Sequence, residues 1–143
     1  MTLERPEFEP LIPHQGAMCL LERVLEWDAE RLVAEAGSHR SGDNPLRRDG
    51  MLAAVHALEY AAQAMAVHGG LRAAEGGESL PGGFLAAGRR IELHVPRLDD
   101  LPGLLRVEVQ EQFRQAGNLI YSFRVAVGDR RVAEGEATVL ARG

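Results

Sequence analysis

The stretch MLAAVHALEYAAQAMAVH, Met51–His68, decides the fold. Its alanines make it a strong helix former, with Gly50 before it and Gly69-Gly70 after it as stop signals. The spacing predicts one helix over 51–68, ~27 Å long at helical rise. A helix lying on a sheet with its back to water carries a broad charged face. This one carries a single formal charge, Glu59, and no arginine lies between Arg48 and Arg72 to pair it. The helix therefore reads as buried nearly all round, wrapped by a sheet or by a partner subunit.

Working outward, residues 19–28 and 31–38 read as two strands split by a turn at Asp28-Ala29-Glu30. Residues 7–14, punctuated by Pro6, Pro10 and Pro13, are a short turn or loop. The polar run S-G-D-N-P-L-R-R-D-G (41–50) is a loop, and so is the glycine-rich stretch 71–83. Four strand-like runs follow at 84–95, 104–113, 118–127 and 131–140. Leu105, Val107 and Val109 alternate with Arg106, Glu108 and Gln110, and Leu119, Tyr121, Phe123, Val125 and Val127 form a second period-two row. Gln115-Ala116-Gly117-Asn118 and Gly128-Asp129-Arg130 supply hairpin turns. Ala133, Gly135, Ala137 and Val139 put small residues on one face, where something bulky must approach closely. Two strands, one long helix and four antiparallel strands are most economically buried as one helix wrapped by one curved sheet. That is an α+β hotdog fold, a single domain over 1–143.

Composition narrows the function. A chain of 143 residues, 45% hydrophobic and 26% charged, matches one globular domain. No apolar run approaches the ~18 residues of a membrane span, and residues 1–10 show no apolar signal core, so a cytoplasmic protein is expected. The single cysteine, Cys19, excludes an intrachain disulfide and a multi-cysteine zinc site, and reads as a small residue on a buried strand. All 16 basic residues are arginine. The lack of lysine removes Schiff-base chemistry, pyridoxal phosphate anchoring and the lysine-ending phosphate loop. A net charge of −5 argues against a nucleic-acid surface.

His56, Glu59, Tyr60 and Gln63 stand at i, i+3, i+4 and i+7, a narrow polar stripe. It is either the solvent edge of an alanine-rich helix or the border of a cleft holding Glu59 away from water. In the second case burial raises the pKa of the carboxyl and suits it to hold or deliver a proton. His94 alternates with Glu92 on an outward strand face, and His68 ends the predicted helix, where a cationic ring suits the dipole. Both read as structural. His39 opens the loop before the helix, and His14 lies in an irregular segment with no secondary structure to serve.

These residues resemble a known family. L-I-P-H-Q-G-A-M-C-L-L-E-R-V-L-E-W (11–27) resembles the L-P-H-R…L-L-V-D-R-V opening of beta-hydroxyacyl-carrier-protein dehydratases. Leu58-Glu59-Tyr60-Ala61-Ala62-Gln63-Ala64 is similar to their E-x-x-A-Q helix, especially the I-E-Y-M-A-Q-A form of aryl-polyene and related polyketide dehydratases. G-F-L-A-A-G-R-R-I-E-L-H-V-P-R-L-D-D-L-P-G (83–103) resembles the strand that follows. The likeness runs over about residues 8–140. It departs in one place. Fatty-acid dehydratases of this type carry a catalytic histidine in a G-H-F-P-G loop before the helix, and that position falls near Asp43–Pro45 here, with no histidine.

The resemblance implies dehydration of a 3-hydroxyacyl thioester to the trans-2-enoyl thioester in fatty-acid or polyketide synthesis. Glu59 would be the acid, and His14, or else His39, the base. Gly50, Met51, His56, Tyr60 and Gln63 would line the substrate, with free backbone N–H groups near Gly50–Leu52 as the oxyanion site. No metal or redox cofactor is implied, the substrate riding on the phosphopantetheine of an acyl carrier protein. Relatives pair through the helix and adjoining strand, so a homodimer or a heterodimer with another hotdog subunit is expected. Arg47, Arg48, Arg89, Arg90 and Arg97 are candidates for a basic rim facing the carrier, or ordinary surface arginines. Two rivals remain: a hotdog thioester hydrolase, and a non-catalytic partner subunit.

Overall fold

A computed structural model describes residues 2–12, 16–75, 83–115 and 118–141. Seven strands form one antiparallel sheet: β1 (Leu3–Glu4), β2 (Arg23–Trp27), β3 (Arg31–Ala36), β4 (Gly83–Leu93), β5 (Leu105–Gln115), β6 (Asn118–Val127) and β7 (Arg130–Ala141). Their spatial order is β1-β2-β3-β5-β6-β7-β4. A short helix, α1 (Arg5–Phe8), follows β1, and the long helix α2 (Ala57–Glu75) lies between β3 and β4 in the chain. This is the hotdog arrangement read from the element order. The two-residue β1, which pairs Leu3 with Val24, is an addition.

The period-two rows lie as predicted. Leu105, Val107 and Val109 are buried, as are Leu119, Tyr121, Phe123 and Val125, and they meet Tyr60, Ala61, Ala64 and Met65 of α2. The other face of the sheet is charged. Arg31 pairs with Glu108 at 2.6 Å and Glu26 at 2.9 Å, and Arg23 with Glu4 and Glu35. Such half-exposed pairs contribute only ~0–1 kcal/mol each, so the fold rests on its apolar side.

The helix differs from expectation at both ends. At the start, Arg48-Asp49-Gly50-Met51 closes a tight turn, with Asp49 at φ 55° and Gly50 at φ 75°. Arg48 and Met51 exchange both backbone hydrogen bonds, at 2.9 and 3.0 Å. Asp-Gly is the dipeptide that tolerates this double left-handed turn. Residues 52–54 are then bonded to the segment 96–99: Leu98 N–H donates to Leu52 O at 2.8 Å and Ala54 N–H to Pro96 O at 3.2 Å. Helical structure begins only with a 3-10 turn, Ala54–His56. At the far end the helix runs through Gly69-Gly70 to Glu75. Glycine weakens a helix interior by ~1 kcal/mol. It is retained because a Cβ at Gly70 would lie 3.0 Å from Leu11 Cβ, where the 3-10 turn Glu9–Leu11 crosses the helix.

The close approach predicted along β7 is made by Ile91. A Cβ at Gly135 would lie 2.7 Å from Ile91 Cδ1, 3.1 Å from its Cα and 3.2 Å from Arg89 O. The cause is a bulge in β4, where the register with β7 slips between Arg89 and Glu92 and Arg90 takes φ 53°. Gly135→Ala is expected to lower stability by about 1–3 kcal/mol, because backbone as well as a side chain must move. A urea titration of the two proteins measures it.

Candidate active site

Glu59 projects from the open side of α2. Along that side run Val55, Leu58, Glu59, Ala62 and Ala66, all at least partly exposed, with one charge among them. Glu59 is exposed in the single chain and makes no hydrogen bond or ion pair among the described residues. In the single chain Glu59 therefore stands on open surface, the solvent-edge alternative of the two readings of the stripe. That surface is apolar. Val55 is 48% exposed one turn before Glu59, and Leu58, Ala62 and Ala66 beside it are partly exposed.

The predicted stripe divides in two. Tyr60 and Gln63 point inward and are buried. The Tyr60 hydroxyl lies 2.7 Å from Ser38 Oγ and accepts from Asn44 Nδ2 at 3.2 Å. Gln63 donates from Nε2 to Met18 O at 2.6 Å and accepts from Leu20 N–H at 2.8 Å. Both have their polar atoms engaged in holding the fold. His56 and Glu59 remain on the outer side, and His56 is half-buried with no side-chain partner among the described residues.

The oxyanion expectation is corrected. Met51 N–H donates to Arg48 O, and Leu52 N–H donates to Asp99 Oδ1 at 2.9 Å. Gly50 is the exposed apex of the turn, and its carbonyl accepts from Arg47 Nη1 at 2.9 Å. The Met51 and Leu52 N–H groups are thus already engaged and are not free donors. Asp99 is a fold-organising residue that sequence reading missed, since an Asp-Asp pair in a loop carries no signal of a backbone partner 47 positions away. Arg97 grips the same carboxylate and holds it well below the usual range, aided by the Leu52 N–H.

The expected bases fare differently. His14 lies outside the described residues. His39 is fully buried; its Nε2–H donates to Leu101 O at 3.1 Å, and Nδ1 has no partner among the described residues. His68 is buried inside the helix rather than capping it, donating from Nε2 to Asp28 O at 2.9 Å and accepting from the Tyr121 hydroxyl at 2.8 Å. Burial pushes both rings below the usual histidine range. The unfolded chain binds protons near 6.5 while the native state does not, so stability is intact above that pH and falls as pH drops below it. Each ring contributes up to about 1.4 kcal/mol per pH unit in that window. Melting temperature should drop between pH 7 and pH 5.5, and His68→Gln should flatten that slope.

Other groups are settled by their neighbours. His94 pairs with Glu134 at 2.9 Å and lies 3.8 Å from Glu92. Arg131 bonds the same Glu134 oxygen at 3.1 Å, which makes this cluster an ion-pair network. Cys19 is buried, and desolvation raises its thiol pKa. Arg47 and Arg48 donate to loop carbonyls, Arg97 forks Asp99 and Arg90 reaches Glu136. Of the five rim arginines only Arg89 lacks a partner among the described residues. The loop that replaces G-H-F-P-G is pinned by Asn44, buried, which donates to Ser38 O and accepts from Leu46 N–H. A hollow of about 440 Å³ opens on the charged face of the sheet, away from α2, among Arg90, Glu108, Arg124 and Glu136. No helix among the described residues is long and apolar enough to cross a membrane.

Comparison with solved structures returns the same fold. The dehydratase heterocomplex ApeI:P of Xenorhabdus doucetiae superposes with a TM-score of 0.83 at 21% identity, covering 95% of this chain and 91% of that one. A hypothetical thioesterase with coenzyme A from Streptococcus pneumoniae gives 0.63 at 11% identity, covering 97% of both chains. Cj0977, a sigma28-regulated virulence protein of Campylobacter jejuni, gives 0.60 at 13% identity, covering 91% and 82%. A search of curated proteins finds no match to the sequence. The family model for ApeP-like proteins, described as ApeP dehydratase, matches residues 6–142. The chain, matched over nearly its whole length, belongs to the ApeP-like dehydratase family.

Proposed function

We propose that this chain dehydrates a 3-hydroxyacyl thioester, carried on an acyl carrier protein, to the trans-2-enoyl thioester, with Glu59 as the acid that protonates the leaving hydroxyl. The observation that carries this reading is the state of Glu59: an uncommitted carboxyl on an apolar helix face. Once an acyl chain or partner surface covers that face, water leaves, and burial favours the protonated carboxyl that can serve as a donor.

The partner is a second hotdog subunit. Among the described residues β4 pairs only with β7, and residues 87–90 of this edge are exposed. A long open edge is a template for another strand. The X. doucetiae neighbour is itself a dehydratase heterocomplex, which agrees with such pairing.

Incubating the assembled protein with a 3-hydroxyacyl thioester tests the reading. A 2-enoyl product supports it; release of free thiol points to a hydrolase. A second reading, a non-catalytic partner subunit, is favoured by Asn44, a buried structural residue in the loop where relatives keep a histidine. Absence of both products from this chain with its carrier protein, or turnover of the assembly that Glu59→Gln leaves unchanged, would establish that reading instead.

A further inference from the structure

The dehydration assigned above needs a base for the proton alpha to the thioester, and the described imidazoles differ sharply in availability. His39 and His68 are wholly buried and bonded to Leu101 O and Asp28 O. His94, just past the end of β4, is paired with Glu134 of β7. His56 alone is partly exposed and has no side-chain partner among the described residues. It sits in the 3-10 turn that runs into α2, three residues before Glu59. Residues so spaced share one side of a helix, with Cβ atoms ~5–6 Å apart. The turn is held firmly, by Ala54 N–H on Pro96 O and His56 N–H on Ala53 O at 3.1 Å. The backbone that carries His56 is thus set by the scaffold and not by a free loop.

We propose that His56 is the catalytic base, acting with Glu59 of the same chain across the alpha and beta carbons of the substrate. This rests on the dehydratase reading. The neutral ring takes the alpha proton, and the freed electron pair forms the carbon–carbon double bond. The bond from the beta carbon to oxygen breaks, and the departing hydroxyl leaves as water with the Glu59 proton. His56 ends protonated and Glu59 ionised, and exchange with solvent restores both. Met51 and Val55, both exposed and both preceding His56 in sequence, supply apolar surface for the acyl chain.

The test uses the assembled wild type, His56→Gln, His14→Gln and Glu59→Gln with a carrier-bound 3-hydroxyacyl thioester in deuterated water. His56→Gln is expected to lose ~10²–10⁴-fold in kcat with KM little changed. It should also stop deuterium entering the alpha carbon, whereas Glu59→Gln keeps that exchange because its base is intact. His56→Asn should behave alike, and melting curves for both verify folding. Turnover by His56→Gln at the wild-type rate, or exchange lost in His14→Gln and kept in His56→Gln, would overturn the assignment. Should the wild type yield no enoyl product, the dehydratase reading itself fails and the assignment with it; the two failures are told apart by the wild-type assay.

Discussion

Glu59→Gln should leave the folded chain as stable as the wild type while cutting dehydration by ~10²–10⁴-fold. The two halves of that expectation come from one feature. Glu59 is exposed in the single chain and bonds to nothing among the described residues, so neutralising it removes no interaction that holds the fold. Surface changes of this kind stay within about ±0.5 kcal/mol. The amide is nearly isosteric with the carboxyl but has no acidic proton for the leaving hydroxyl. A structural role predicts the opposite pairing, with stability falling and turnover following only in proportion. Denaturation midpoints measured beside product formation separate the two. A variant that turns over at the wild-type rate would remove Glu59 from the chemistry altogether.

The architecture was legible because it is written in periodicity. Leu105, Val107 and Val109 alternate so regularly with charged residues that only one face of β5 can be buried, and it is. The helix was legible as an element and misread at its ends. Gly69-Gly70 look like a stop locally, and only the crossing of Leu11 explains why glycine lies inside the helix. Asp49-Gly50 marks a turn, but nothing local says that 52–54 will bond to 96–99 before the helix starts. The same limit applies to the site. Spacing puts His56, Glu59, Tyr60 and Gln63 near one another; it cannot say that Tyr60 and Gln63 turn inward to meet Ser38, Asn44, Met18 and Leu20. Polar groups on a helix look alike in sequence, and distant partners divide them into structural and available.

Gln63 shows that division most sharply, and its replacement should have the largest effect on stability. Its side-chain amide acts as a piece of strand, giving Leu20 N–H an acceptor and Met18 O a donor. Gln63→Leu keeps the volume and removes both bonds. Leu20 is 2% exposed, so its orphaned N–H has no water to turn to. A buried unsatisfied group costs about 1–3 kcal/mol, and the partly buried Met18 carbonyl adds less. The sum of about 2–4 kcal/mol corresponds to a fall of roughly 5–15 °C in Tm for a chain of this length. Gln63→Glu sharpens the test through pH. Its carboxylate would still accept from Leu20 N–H but would face the Met18 carbonyl, oxygen against oxygen, in a desolvated place. That raises its folded pKa above the unfolded value near 4.3. The protonated acid can donate to Met18 O, so its stabilising bond is present at low pH and is lost as pH rises through the folded pKa. Against Gln63→Leu, then, Gln63→Glu should be closer to wild type at pH 5 than at pH 8. If the two variants kept the same difference at both pH values, or if Gln63→Leu melted with the wild type, residues 18–20 would be held to α2 by packing alone.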